Sequence, residues 1–132
     1  LGSQYAAMRF ASKSFFREDL SAQLVMNSAL TLNVSRHTDI SEPLTIGMNC
    51  EGEGDATGSC STQIDISEQL NALPRDTWSS MSIDLQCFVK EGIDFTGLVV
   101  PFEIGTKGKA SVSVADIQFT PDSAEQAVIS CQ

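Results

Sequence analysis

Apolar and polar side chains alternate along short stretches throughout this chain, and that period of two is its strongest constraint. Leu30, Leu32 and Val34 alternate with Thr31, Asn33 and Ser35; Leu44, Ile46 and Met48 alternate with Thr45, Gly47 and Asn49. Thr62, Ile64 and Ile66 stand against Gln63 and Asp65, and Met81, Ile83 and Leu85 against Ser80, Ser82 and Asp84. Val100, Phe102 and Ile104 repeat the pattern, with Pro101 pushing that stretch toward a sheet edge or a bulge. Successive side chains of an extended chain point to opposite faces, so each stretch reads as a strand with one buried face. Turn signals separate them: Ser41-Glu42-Pro43, the glycine-rich run 51–59, Pro74-Arg75-Asp76 and Gly105-Thr106-Lys107-Gly108. Short strands with one apolar face each predict an all-β sandwich or jelly roll.

Helix is scarce. Ser67 to Leu73 carries a serine in N-cap position and stops before Pro74, which predicts one or two turns, and Cys87 to Gly92 predicts another short one. A chain of 132 residues suits one core. The polar segment that begins Thr120-Pro121-Asp122-Ser123 is expected to fray, dividing the chain into a sandwich over 1–119 and a tail over 120–132. The chain opens at Leu1, and Leu1 to Phe10 lacks the regions of a signal peptide, so it is expected to be a piece of something longer. No apolar run approaches the ~20 residues that span a bilayer, so no membrane insertion is expected.

The net charge of −9, from 17 acidic and 8 basic residues, argues against nucleic acid, whose phosphates are held by Lys and Arg. The four cysteines form no CxxC pair of the kind that binds zinc. Cys50 and Cys60 bracket the polar loop 51–59, which bends freely enough to join them, so a Cys50–Cys60 disulfide is expected. That bridge implies an oxidising compartment, periplasmic or extracellular. For Cys87, in the apolar setting Leu85-Gln86-Cys87-Phe88-Val89, a bridge to Cys131 and a buried free thiol both stay open.

Catalysis finds little support. The single histidine, His37, lies in the polar segment Ser35-Arg36-His37-Thr38-Asp39 and reads as an exposed loop residue, and there is no GxSxG elbow, P-loop or HExxH motif. Asp65 and Asp84 alternate with apolar residues and should face solvent, and Glu51, Glu53 and Asp55 sit on a flexible loop, so no paired carboxylates are set for glycoside hydrolysis. No cofactor is required. In the last strand Val112 and Val114 define one face, but Ala115, Ile117 and Phe119 the other. Either a β-bulge leaves Asp116 exposed, or Asp116 points inward and needs a partner, for which structural Ca²⁺ is the candidate. The acidic loop 51–55 is a weaker cation candidate. Trp78 is out of phase with Met81, Ile83 and Leu85, which allows a surface position, although a lone tryptophan commonly sits in a core or at a domain interface. Tyr5, Phe15 and Phe16 are further candidates for sugar or domain contact. Asn33-Val34-Ser35 matches a glycosylation sequon.

Four strings carry a family resemblance: Asn49-Cys50, the acidic loop and Cys60; Leu70-Asn71-Ala72-Leu73-Pro74-Arg75-Asp76-Thr77-Trp78; Leu85-Gln86-Cys87-Phe88; and Ala115-Asp116-Ile117-Gln118-Phe119. From about Tyr5 to Phe119 the chain resembles the C-terminal domain of bacterial glycoside hydrolase family 3 enzymes of the exo-1,3/1,4-β-glucanase type. The resemblance implies a galactose-binding-like sandwich appended to a barrel and an α/β domain that hold the catalytic acids, so no catalytic residue carries over to this chain. It also implies further strands before Tyr5. The expected role is a non-catalytic accessory domain whose partners are the parent's catalytic domains. The alternative is an autonomous module that binds β-glucan oligosaccharides.

Overall fold

The structure, a computed structural model, describes residues 6–10, 19–50, 60–106 and 108–131. Its strands are β1 (Ala6–Phe10), β2 (Ala29–Arg36), β3 (Leu44–Cys50), β4 (Cys60–Asp65), β5 (Ser79–Asp84), β6 (Leu98–Thr106) and β7 (Val112–Thr120). They form two antiparallel sheets, one in the order β1-β6-β3-β4 and the other β5-β2-β7. The alternation explains how the sheets meet. Leu30, Leu32, Val34, Met81 and Ile83 of the smaller sheet share one buried cluster with Leu44, Ile46, Met48, Leu98, Phe102 and Ile104 of the larger. Thr31, Asn33, Ser80 and Ser82 on the opposite face reach solvent, whereas Asp84, expected there too, is fully buried and accepts the N–H of Gln86 at 2.9 Å, where the helix after β5 begins.

Gly47 shows how tightly β3 and β4 meet. It pairs with Gln63, and a Cβ at this position would run into the backbone carbonyl of Thr62, which cannot swing aside as a side chain would. Gly47→Ala is expected to cost about 1–3 kcal/mol. A urea midpoint equal to the wild type's would contradict this.

Three short helices join the strands: α1 (Ser21–Val25), α2 (Ser67–Asn71) and α3 (Gln86–Lys90). The sequence reading anticipated the last two. It missed α1, which buries none of its own residues and so carries no apolar periodicity to read. Ser67 is the first helical residue of α2 and not its N-cap, a position held by Ile66. Asp65 offers the stronger, charged acceptor and takes both the N–H of Ser67 (2.9 Å) and its hydroxyl (2.6 Å). Ser67 Oγ in turn accepts the N–H of Leu44 at 2.9 Å, tying the helix start to β3.

The segment after Phe119 does not fray. β7 runs to Thr120, Ala124 is buried, and Ile129 forms a parallel bridge to Ile83 on the outer edge of β5. The N–H of Asp84 donates to Ile129 O at 2.9 Å and that of Ile129 to Ser82 O at 3.0 Å. A disulfide joins Cys87 to Cys131, resolving the alternative left open for Cys87. Polar composition misled here because the segment is held by backbone pairing and a covalent bond, neither of which needs apolar side chains.

The flip in β7 is a bulge. Asn33 pairs with Ala115 but Thr31 pairs with Gln118, so Leu32 alone faces Asp116 and Ile117. The extra residue, Asp116, has φ 55 and is exposed. It brings Ile117 and Phe119 onto the inward face with Val112 and Val114, whereas Ala115 stays opposite outward-facing Asn33. Asn27, Asp76, Asp116 and Asp122 are the non-glycine residues of positive φ among the described residues, and Asn and Asp tolerate that backbone best.

Candidate functional site

The end of β2 organises one edge of the smaller sheet through Arg36, a buried arginine. Its Nε donates to the carbonyls of Leu70 (2.9 Å) and Leu73 (3.0 Å), and Nη2 to that of Asn71 (3.4 Å). These oxygens belong to the last turn of α2 and its exit, where helical N–H donors run out; only that of Leu70 also accepts a backbone N–H, from Leu73 at 3.0 Å. Nη1 reaches Thr38 O (3.2 Å) and the carboxylate of Asp39 (3.1 Å). Asn71 completes the anchor, accepting the N–H of Ile40 and donating to its carbonyl, both at 2.9 Å. Arg75 binds Asp39 at 2.8 Å and, with Arg36, holds its carboxyl below the usual carboxylate range. The small stabilisation from that pair is present at neutral pH and is lost as the pH falls through the lowered value of Asp39.

This anchoring holds His37 between two partners. Its Nδ1 lies 2.6 Å from Asp76 Oδ1 and its Nε2 2.8 Å from Ser113 Oγ. An ionised carboxylate only accepts, so Nδ1–H donates to Asp76, and whenever the ring is neutral its Nε2 accepts the Ser113 hydroxyl. As expected, His37 lies in the loop after β2 with its side chain 37% exposed, but its ring is oriented, held by side chains 39 and 76 positions away. No local pattern in the sequence could announce partners so distant. The connectivity is that of a serine hydrolase triad, but the surroundings are not. The side chain of Asp76 is 71% exposed, so water screens the field that a buried aspartate would exert on the imidazole.

The outward face beside these residues is polar and internally bonded. Asn33 Nδ2 donates to Asp116 Oδ2 at 2.7 Å, and the hydroxyls of Thr31 and Thr120 meet at 2.7 Å. Asn33 therefore lies mid-strand and engaged, whereas a glycosylation acceptor usually occupies a surface loop. Ser80 and Ser82 of β5 pair with Asn33 and Thr31 on the same face. Trp78 precedes β5 in phase with these serines and is 56% exposed, so it is a surface residue and not part of the core. On the inward side of β7, a cleft of about 430 Å³ opens between the sheets. Leu30, Phe102, Val114, Ile117 and Phe119 line it, and the last three are only half-buried.

Other sequence candidates stand apart from this face. Tyr5, Phe15, Phe16 and the acidic loop 51–55 lie outside the described residues. Cys50 and Cys60 are opposite one another in the β3–β4 ladder, a spacing that suits a disulfide, and Cys50 is disulfide-bonded, but the side chain of Cys60 lies outside the described ones. Asp116 has Asn33 as its partner, and among the described residues no group of three or more His, Cys, Asp or Glu side chains could hold a metal ion. No described helix is long and apolar enough to cross a membrane.

Comparison with known proteins places this geometry. The fold is similar to part of the exo-1,3/1,4-β-glucanase EXOP from a Pseudoalteromonas species, at 15% identity and a TM-score of 0.64, over 95% of this chain and 14% of that enzyme. It is also similar to the family 30 carbohydrate-binding module of the cellulosomal cellulase Cel9D-Cel44B of Clostridium thermocellum, at 16% identity and a TM-score of 0.68, over 92% of this chain and 70% of that one. A further family 30 module matches at 18% identity and a TM-score of 0.70, over 97% of this chain and 66% of the module. No curated protein sequence matches the chain. A family model described as galactose-binding domain-like matches residues 1–119. With its two antiparallel sheets, the chain belongs to the Exop_C family of galactose-binding-like domains, which are non-catalytic.

Proposed function

We propose that this chain is an exported, non-catalytic accessory domain of a family 3 β-glucan or β-glucoside hydrolase, and that it docks on the catalytic domains of its parent. The observation that carries this reading is the apolar cleft beside β7. The inward residues Val114, Ile117 and Phe119 of a sandwich strand are half-buried, where their counterparts on β2 and β5 are fully covered. A partner surface laid on that edge would remove apolar area from water at about 25 cal/mol per Å². The likeness to a small part of a β-glucanase supports a parent of that type. The Cys87–Cys131 bridge supports export, because such bonds persist in oxidising compartments.

Calorimetry on the whole hydrolase tests the docking. A docked domain unfolds together with its neighbours, and Ile117→Asp is expected to split the domain off as a separate transition. A wild-type domain that melts independently, at the temperature of the isolated domain, would overturn the reading. A second reading, an autonomous β-glucan-binding module, is favoured by one observation: Trp78 is exposed in phase with a polar sheet face, the arrangement that a sugar ring with apolar C–H faces and a hydroxyl rim requires.

A further inference from the structure

We propose that Trp78, His37, Asp76 and Ser113 form one pyranose-binding subsite on the outer face of the smaller sheet. The proposal rests on the second reading above and gives it a place. The β2–β5 ladder ends at Val34 paired with Ser79, and the N–H of Asp76 still donates to Arg36 O at 2.8 Å. The chain thus keeps to the side of β2, and Trp78, one residue before β5, stands two positions from Asp76. Ser35 is itself paired with Ser113 of β7. The approach to β5, the end of β2 and the start of β7 therefore lie side by side, about 10 Å across by two inter-strand spacings. That length suits one or two sugar rings. Ser35, in the middle, is almost fully covered and forms the floor.

The polar end of this surface is preorganised. His37 is fixed from both sides, so Asp76 and Ser113 present their remaining lone pairs in set directions without further ordering cost. Asp76 Oδ1 is engaged by His37, and the Asp76 side chain as a whole is largely open to water, which leaves its carboxylate within reach of a ligand. Both groups accept, and sugar hydroxyls donate. Asp76 also holds a left-handed backbone, φ 57, which is kept by its hydrogen bond to Arg36. At the other end the indole offers a flat apolar face. A β-linked glucose unit matches this pair of features, because its equatorial hydroxyls leave both ring faces to C–H groups.

Trp78 is the single tryptophan of the chain, so its emission reports on this subsite alone. The isolated domain would be titrated with cellotetraose and laminaritetraose, with intrinsic fluorescence and calorimetric heat followed in parallel. A saturable blue shift at millimolar sugar is expected, together with at least fivefold weaker binding by Asp76→Asn and by Ser113→Ala. Asn tolerates the left-handed backbone, so Asp76→Asn should melt within about 2 °C of the wild type. Saturable heat with unchanged emission would overturn the subsite while leaving the module reading intact. Neither heat nor emission change would overturn both, and leaves docking to the parent unaffected. Binding that survives Asp76→Asn and Ser113→Ala at wild-type strength would remove His37 and its partners from the site.

Discussion

Replacing both Cys87 and Cys131 by serine is expected to destabilise the domain by about 3–4 kcal/mol and to lower its melting temperature by about 10–15 °C. The bridge closes a loop of sequence separation 44, and denying that closure to the unfolded chain accounts for about 4 kcal/mol by chain entropy. A structural consequence adds to this. Cys131 holds the last segment against β5, where Ile129 bridges Ile83 and exchanges backbone hydrogen bonds with Ser82 and Asp84. Without the bridge that segment keeps only its backbone hydrogen bonds and the packing of Ala124, and the β5 edge opens more readily to water. The double variant avoids a stray thiol, and leaves Cys50 and Cys60 untouched. Thermal melts of the variant and the wild type, with amide exchange at Ile129 and Asp84, measure the effect. Melts within about 2 °C of each other would show that the segment is held by its other contacts.

Arg36→Met is expected to cost about 3 kcal/mol, although methionine fills much of the same volume. The guanidinium satisfies the carbonyls of Leu70, Leu73, Asn71 and Thr38 from one buried position. Its removal leaves the carbonyls of Leu73 and Thr38 without that donor, at about 1–3 kcal/mol for each group left unsatisfied, while Leu70 O keeps the N–H of Leu73. Arg36→Lys keeps the charge but offers a point donor in place of a fork, and it is expected to recover less than half of the loss. Chemical denaturation of the three proteins checks the order Arg, Lys, Met. Because the carbonyl of Arg36 also accepts the N–H of Asp76, both variants should loosen the His37 ring, read as a shift of its imidazole resonances. A lysine variant as stable as the wild type would show that charge, and not the fork, matters here.

The legible part of this protein was what repeats along the chain. Period-two alternation in 30–34, 44–48, 62–66 and 81–85 located strands and inward faces, since each side chain's direction in a strand follows from its own neighbours. The irregularity at Ala115 was legible as a choice, because a bulge and an inward Asp116 leave the same trace in the sequence. The sequence was silent on α1, whose residues bury nothing, and wrong about the segment after Phe119, whose attachment uses backbone and sulfur. The resemblance to a glucanase domain came from the order of short strings, and the family match over 1–119 agrees with it.

By itself, then, the sequence determined the class of fold, an acidic all-β sandwich, because those properties are sums over local choices. Only the tertiary structure decided which distant residues share a surface. Asp76 and Ser113 meet His37 because β7 and the approach to β5 flank β2 on opposite sides, a pairing set by register across the whole sheet. The fold likewise leaves Trp78, ambiguous between core and surface when read alone, as an exposed aromatic just before β5.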